Sequence, residues 1–268
     1  MRLFSDTARK RILSLSLMTL AVSAMSYLTQ PSAHAQNTLI NPDARHCAPQ
    51  LRLSAQPGAM IQLDAVMPCQ TNARVEVTHG PMRFSALTDG QGRVSAILPA
   101  LTDTAEVRLS TGTTVLSGRI TAPDASRFTR VALQWQGDAP LQIHALELAS
   151  AYGGAGHIWL GDSKAPLRAV RDKGGFLTEL GTPQGSGWQA QVYSFPADPT
   201  GSGVVRLSVE TEVTAHTCGR EIRGETIQAD FAGQPRAMPM MLRLPGCQAV
   251  GETLVLKNLL RDLKLALK

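Results

Sequence analysis

The chain has 268 residues, 43 % of them hydrophobic, and a formal net charge of +5. This length suits one large or two ordinary domains with hydrophobic cores of their own. The basic residues are not interleaved with aromatic residues, and their one local concentration is at 257–268, so the sequence argues against a nucleic-acid-binding protein.

The first 35 residues have the three parts of a secretory signal. Arg2 and three consecutive basic residues at 9–11 precede an apolar run at 12–28, and the small residues Ala33 and Ala35 form a cleavage site. Removing this leader leaves 233 residues with a charge of +2, so most of the basic character belongs to targeting. We expect a periplasmic or secreted protein with no stable membrane span after cleavage. A retained signal anchor is the alternative, because the apolar run approaches the length of a membrane span.

Four cysteines follow the leader, and this even number predicts two disulfide bonds in an oxidising compartment. Three pairings are open. We favour the two pairs that are local in sequence, because each then lies within one predicted domain. The predicted disulfides are Cys47–Cys69 and Cys218–Cys247.

A structural zinc site is the alternative use of these cysteines. His46 precedes Cys47, and His216 lies two residues before Cys218. However, the sequence has no C-x-x-C or H-x-x-x-H spacing, and an oxidising compartment favours disulfides over thiolate ligands. The sequence therefore predicts no metal site and no cofactor.

Residues 36–121 form a series of short segments in which apolar and polar residues alternate. Leu63 and Ala65 have polar neighbours, as do Val107 and Leu109, and turn residues rich in glycine separate the segments. A period of two that recurs at this spacing is typical of antiparallel sheets. We predict a β-sandwich domain at 36–121.

Part of this domain resembles the transthyretin-like, carboxypeptidase-regulatory-like modules, which are small seven-stranded sandwiches. The resemblance rests on the strand residues Val75 and Val77, the hairpin at 88–94 and the segment at 98–101, which reads Leu-Pro-Ala-Leu. Gly92 supplies the residue with positive φ that such a hairpin needs. The resemblance implies a sandwich fold and carries no catalytic residue, because the module is a scaffold attached to many proteins.

A linker at 122–127 leads to a second β-rich region at 128–268, for which we predict another sandwich domain. Its strongest strand pattern is at 204–213. Between 150 and 186 the sequence is rich in glycine and proline and weakly periodic, which predicts long loops. The fold class is therefore mainly β, with two antiparallel β-sandwich domains.

The last segment, 254–268, fits two structures. Leucines at 256, 259, 260, 263 and 267 follow a helical spacing, and we favour a short C-terminal helix. Leu263, Leu265 and Leu267 also alternate as they would in a strand, so pairing at a sheet edge is the alternative.

The chain after the leader also resembles a group of exported alphaproteobacterial proteins of unassigned activity. The resemblance rests on the segments 131–137, 218–220 and 254–260. Some members of that group carry the label "translocase". The sequence has no nucleotide-binding loop and no series of membrane spans, and it therefore gives that label no support.

No residue pattern predicts catalysis. The nucleophile motif G-x-S-x-G is absent, and its nearest match, at 161–165, lacks the last glycine. A periplasmic hydrolase with a site in the 150–186 loops is still the alternative hypothesis. It rests on four side chains that those loops contain, namely His157, Trp159, Asp162 and Ser163.

Aromatic residues give the best indication of binding. All three tryptophans lie in the second region, and we expect Trp135, at an alternating strand position, to pack in the core. An exposed aromatic side chain can stack on a sugar or on a side chain of a partner. We therefore predict a non-enzymatic binding or scaffold module of the cell envelope, whose partner is an envelope protein or a glycan. The candidate binding residues are Trp159, Trp188, Tyr152 and His157.

Overall fold

Antiparallel strands make up most of the computed structural model of the chain, which describes residues 47–171, 174–182, 186–197, 203–229 and 234–265. All of these residues belong to one unit, Asn41–Lys268. The predicted leader at 1–35, His46 and Leu267 lie outside the described residues. No helix within the described ranges has the length and hydrophobicity that are needed to cross a membrane. The prediction of a mainly β, antiparallel sandwich fold is confirmed.

The first region forms two antiparallel sheets, in which buried and exposed residues alternate as the sequence predicts. Sheet A has the strand order β1-β2-β5, and sheet B has the order β4-β3-β6-β7. The strands are β1 (Gln50–Gln56), β2 (Met60–Val66), β3 (Arg74–His79), β4 (Met82–Leu87), β5 (Arg93–Pro99), β6 (Thr104–Ser110) and β7 (Val115–Thr121).

The turn before β5 shows why this hairpin needs its motif residues. The Asp89 carboxylate accepts hydrogen bonds from the main-chain N–H groups of Gln91 and Arg93, both at 2.8 Å. The bond from Arg93 is the main reason that the pKa of Asp89 is lowered. Gly92 has φ +72°, and a Cβ there would lie 2.1 Å from the Met67 carbonyl oxygen, so only glycine fits. The turn is confirmed, while the resemblance to transthyretin-like modules stays a prediction.

The second region forms two further antiparallel sheets and one short helix. Sheet C has the order β11-β12-β8-β14-β15. Sheet D has the order β10-β9-β13-β16, with β17 also paired to β13. The elements are a 3₁₀ turn (Ala125–Arg127), β8 (Phe128–Gln136), β9 (Gln142–Glu147), β10 (His157–Ile158), α1 (Pro166–Val170), β11 (Phe176–Leu180), β12 (Trp188–Pro196), β13 (Gly203–Glu212), β14 (Glu221–Ala229), β15 (Arg236–Arg243), a 3₁₀ turn (Cys247–Ala249), β16 (Thr253–Leu256) and β17 (Leu263–Leu265).

Sheet C contributes to two hydrophobic cores. From β8, Ala132 belongs to a core shared with sheets A and B, whereas Val131 and Leu133 belong to a core shared with sheet D. Because both of its faces are covered, the central strands β8 and β12 are buried along nearly their whole length. Trp135 packs in the second core with 2 % of its surface exposed, as predicted.

The first core takes residues from both sides of the predicted linker at 122–127. The linker is therefore the point where the chain passes from sheet B to sheet C. The division into two domains, 36–121 and 128–268, stays a prediction.

The buried Arg130 side chain connects the two regions. From β8 it donates hydrogen bonds to the main-chain carbonyls of Ala100, of Gly58 at 2.7 Å and of Ala59 at 3.1 Å, and to Ser194 Oγ at 3.1 Å. Burial lowers its pKa to about 9, so the guanidinium remains charged at neutral pH. Its planar group of donors thus links the first region to the central sheet.

The C-terminal segment pairs as strands, and the favoured helix is wrong. Both β16 and β17 pair with β13 along one edge of that ten-residue strand. Leu256 and Leu263 reach the second core from these two short strands, and Leu259 and Leu260 reach it from the residues between them. Main-chain groups of β13 gain partners that a helix would leave without hydrogen bonds. Between the two strands, Asp262 Oδ1 accepts the Leu207 N–H at 2.9 Å.

The glycine-rich stretch 150–186 contains regular structure that its sequence did not indicate. It includes β10, α1 and β11, and β11 pairs with β12 over five residues. Phe176 and Leu177 on β11 are buried in different cores. The prediction of long loops is therefore wrong for 176–180, because five residues are too few to show a clear period.

Both predicted disulfides are present, and the structure contains no free cysteine among the residues that it describes. The Cα atoms are 5.2 Å apart in Cys47–Cys69 and 4.9 Å apart in Cys218–Cys247. These distances lie inside the usual range of about 4.4–6.8 Å. The disulfide reading of the cysteines is thereby confirmed over the zinc reading.

Removing either disulfide by serine substitution of both cysteines is expected to lower the free energy of unfolding by about 3–4 kcal/mol, because loops of 22 and 29 residues are no longer closed in the unfolded chain. Urea denaturation of the mature chain measures this loss. Peptide mapping without reductant should recover only the two local pairs. A peptide that joins Cys69 to Cys218 would contradict the pairing.

Replacing Arg130 by methionine is expected to lower the free energy of unfolding by at least ~3 kcal/mol, because three buried carbonyls each lose the hydrogen bond from the guanidinium. The matched control is Arg127→Met, since Arg127 is exposed and forms a surface ion pair with Asp124. Urea midpoints that are equal for the two variants would show that Arg130 does not hold the regions together.

Candidate functional site

A polar and aromatic cluster lies on the outer face of sheet D. Val205, Leu207 and Val209 of β13 point into the second core, so the alternate residues Ser208 and Glu210 point away from it. In the neighbouring strand β9, His144 is opposite Ser208. The residues between β9 and β10, 148–156, bring further side chains to this face.

Three of the four predicted binding residues meet in this cluster. The rings of Tyr152 and His157 are 4.6 Å apart, and Trp159 is 5.9 Å from His157 at an interplanar angle of 13°. His144 lies among them, with its ring 5.5 Å from that of Trp159. We define the outer cluster as His144, Tyr152, His157, Trp159, Ser208 and Glu210.

Trp188, the fourth predicted residue, lies on sheet C and contacts sheet B. The Arg83 guanidinium is 4.8 Å from the centre of its indole ring, and its main-chain N–H donates to Ser85 Oγ at 2.9 Å. The structure therefore does not place Trp188 in the outer cluster. Its role in binding stays a prediction.

A chain of hydrogen bonds fixes the protons on both histidines. The Gly153 N–H donates to His157 Nδ1 at 3.0 Å, so that nitrogen carries no proton. In a neutral ring the proton must then be on Nε2, which is 2.9 Å from His144 Nδ1 and donates to it. His144 in turn carries its proton on Nε2, which lies 3.8 Å from Glu210 Oε2.

Burial keeps both histidines neutral. It is the main cause that lowers the pKa of His144, and His157 lowers it further while Glu210 raises it. Burial also lowers the pKa of His157, against the opposing effects of Glu210 and Asp162. The two neutral rings thus lie in contact with each other, with the carboxylates of Glu210 and Asp162 acting on them.

The acidic end of the cluster accepts several hydrogen bonds. The Tyr152 hydroxyl donates to Glu210 Oε1, and Ser208 Oγ lies 3.3 Å from the same hydroxyl. Burial and the Glu210 hydrogen bond raise the pKa of Tyr152. Gln142, which is opposite Glu210 in β9, has a buried Oε1 with no hydrogen-bond partner among the residues described. A buried acceptor of this kind gains stability when a donor reaches it.

A groove of about 510 Å³ adjoins the cluster along β13. Arg206 is exposed and lies two residues from Ser208 on the same face, and no carboxylate in the described part of the chain pairs with it. Leu148 is 59 % exposed at the start of the 148–156 segment. The groove is lined by Leu148, Ala149, Gly203, Val204, Arg206 and Asp262.

The hydrogen bonds of His157 bear on the hydrolase hypothesis. Gly153 and His144 occupy both of its ring nitrogens, so neither is available to accept a proton from Ser163. Asp162 forms its ion pair with Lys164. The loop residues of that hypothesis therefore do not form a serine–histidine pair in this arrangement.

With Nδ1 accepting from His157, His144 offers only Nε2 to an ion, and together with Glu210 Oε2 this makes two ligands, fewer than metal sites in proteins usually have. Within the described ranges, no group of three or more histidine, cysteine or acidic side chains has the arrangement of a metal site.

Glu147 belongs to a separate buried network on the inner face of sheet D. Arg168 of α1 donates to both of its carboxylate oxygens, at 2.8 and 3.1 Å. The Tyr193 hydroxyl donates at 2.8 Å and the Gly175 N–H at 2.7 Å. Burial raises the pKa of Tyr193 well above its ordinary value. This fully bonded carboxylate anchors α1 and the segment before β11 to the sheet.

Sequence reasoning did not select His144, Ser208 and Glu210 as binding residues. Their positions alternate with the apolar residues of β9 and β13, and this period of two was a signal that they share an outer face. Nothing in the sequence showed that β9 and β13, which are about 60 residues apart, are paired.

Tyrosine ionisation tests the contact between Tyr152 and Glu210. Within residues 36–268, Tyr152 and Tyr193 are the two tyrosines. Glu210→Gln should lower the pKa of Tyr152, because the raising effect of the carboxylate is lost. Absorbance titration at alkaline pH measures the pKa of Tyr152, and Glu212→Gln, the same change at an exposed glutamate, is the control. An unchanged titration in Glu210→Gln would contradict the contact.

The comparisons with known proteins add no assignment to this site. No protein-family model matches the chain, and no curated protein shows significant similarity to it. The function of the outer cluster is therefore argued from its geometry and chemistry.

Proposed function

We propose that the chain is an exported, non-enzymatic binding module of the cell envelope, and that the outer cluster is its binding surface. The observation that carries this proposal is the meeting of Tyr152, His157 and Trp159 with Glu210 on one outward sheet face. Aromatic faces beside hydrogen-bonding groups are the usual means of holding a polar ligand in place.

The chemistry of the surface favours a glycan as the ligand. Tyr152 is 54 % exposed and Trp159 is partly exposed, so each offers apolar surface to a sugar ring. Glu210 Oε2 has no hydrogen bond within the described structure, and the side chain is partly exposed. This oxygen accepts hydrogen bonds, and a glycan is rich in hydroxyl donors. The groove beside Arg206 extends this surface along β13.

Export to the periplasm or beyond is supported by the leader at 1–35 and by the two disulfides. The resemblance to exported alphaproteobacterial proteins is in keeping with this location. The resemblance to transthyretin-like modules is in keeping with a scaffold role. An envelope protein is the alternative partner.

The test is binding of the mature chain, residues 36–268, to a panel of peptidoglycan fragments and envelope oligosaccharides by isothermal titration calorimetry. Tyr152→Ala and Trp159→Ala should each weaken binding at least about tenfold, because truncation of an aromatic anchor commonly removes more than ~1.4 kcal/mol. Trp188→Ala is the matched control and should leave the affinity within about twofold.

The outcomes separate the hypotheses. Binding that survives both cluster substitutions, or that is lost only in Trp188→Ala, would contradict the proposed surface. Binding to no glycan, together with binding to a purified envelope protein that Tyr152→Ala abolishes, would replace the glycan by a protein partner. Release of product from any panel member, abolished by Ser163→Ala, would instead support the hydrolase.

A further inference from the structure

The outer cluster bonds to the 148–156 segment at Tyr152 and Gly153, and the segment has main-chain bonds of its own, from Ser150 to Glu147 and from Gly154 to Ala151. The Gly153 N–H is bonded to His157, and the Tyr152 hydroxyl is bonded to Glu210. Near the start of the segment, Leu148 and Ala149 have φ values of +49° and +64°, which residues with a side chain rarely adopt. Because this backbone conformation is strained, the segment depends on its contacts to stay on the sheet.

Adding one proton to the histidine pair necessarily removes a hydrogen bond. In the neutral pair, His157 Nδ1 accepts from the Gly153 N–H, and His144 Nδ1 accepts from His157 Nε2. A proton on His144 Nδ1 would face the proton on His157 Nε2. The pair avoids this clash only if His157 moves its proton to Nδ1, where it faces the Gly153 N–H.

The bond to Gly153 is lost whichever ring carries the charge. Glu210, from β13, favours a positive charge on either ring, and Asp162 also favours charge on His157. Arg206, on the same face of β13, acts on Tyr152 with the opposite sign to Glu210. A charge on His157 opposes one on His144, so the pair takes up a single proton.

This arrangement breaks the contact at Gly153. The bond between the two rings survives, in reversed direction when His144 carries the charge, and His157 Nδ1 becomes a donor that repels the Gly153 N–H. The positive charge also attracts the Glu210 carboxylate, which is the acceptor of the Tyr152 hydroxyl.

We propose that His144 and His157 form a pH-sensitive switch that holds residues 151–154, with Tyr152, on sheet D at neutral pH and releases them under mild acid. This inference adds regulation to the binding surface proposed above. Its test needs no ligand, so its failure would leave the binding proposal standing, and failure of the binding proposal would not affect it.

The direction of the effect follows from proton linkage. Burial lowers the pKa of both histidines in the closed segment, so the open state binds more protons. The closed state is therefore fully stable above the ordinary histidine pKa of about 6.5 and loses stability as the pH falls below it. Uptake of one proton limits the increase in opening to about tenfold per pH unit.

Hydrogen exchange of the mature chain, measured by NMR between pH 7.5 and 5.0 and corrected for intrinsic exchange rates, tests the switch. Protection of the Gly153 amide should fall by about three- to tenfold per pH unit below pH 6.5. Amides of the central strands β8 and β12 should stay protected throughout. Equal losses of protection in β8 and β12 would mean that the fold opens as a whole, and this result would overturn the proposal. Titration of His79, which is also buried, would be one cause of such global opening.

Two variants isolate the titrating ring. In His157→Asn the side-chain oxygen takes the place of Nδ1 as acceptor for the Gly153 N–H without gaining a proton in this range, so protection of Gly153 should become independent of pH. His216→Asn, the same change at an exposed histidine, should behave as the unmodified chain. Protection of Gly153 that is flat with pH in the unmodified chain, or equally pH-dependent in His157→Asn, would refute the switch.

Discussion

One main-chain group, the Gly153 N–H, determines the chemistry of the outer cluster. Because this N–H donates to His157 Nδ1, the proton of His157 is on Nε2. That proton is donated to His144 Nδ1, so the proton of His144 is also on Nε2. Each imidazole accepts a hydrogen bond at Nδ1, while Tyr152 is exposed and Trp159 and Glu210 are partly exposed. A general base needs a ring nitrogen free to accept a proton, and the constraint leaves His157 none. This is the physical reason that the geometry favours binding over hydrolysis.

The hydrogen bond from Gly153 can fix the histidine tautomers because sheet D, which carries the cluster, is well supported. Sheet C is covered on both faces and carries polar side chains that bridge to its neighbours: Gln191 accepts the Ile143 N–H at 2.8 Å, and Gln134 accepts the Arg83 N–H at the same distance. Arg130 adds links to three carbonyls of the first region. Sheet D is therefore joined to sheet C by hydrogen bonds as well as by apolar contacts. The 148–156 segment on the outer face of sheet D has fewer contacts. A stable frame under a weakly held segment is the usual arrangement for surfaces that respond to ligands or protons.

Properties that depend on local sequence could be predicted, and those that depend on distant pairing could not. The alternating pattern gave the β class, and the even number of cysteines gave both disulfides, because these signals lie in short segments. Tyr152, His157 and Trp159 are neighbours in the chain, so the sequence alone places them close to one another. Glu210 was missed because only the pairing of β9 with β13 brings it to them. The C-terminal leucines satisfied a helical spacing, but the open edge of β13 decided their structure.

The chemistry of the outer cluster depends on the tautomer of the two histidines, and long-range ¹H–¹⁵N correlation spectra of residues 36–268 at pH 7.5 measure it directly. We expect His144 and His157 both to be neutral with the proton on Nε2, so that the Nδ1 atoms of both show the shift of an unprotonated nitrogen. A proton on Nδ1 of His157 would contradict this assignment, because Gly153 could then not donate to it and Nε2 of His157 would be free to act as a base.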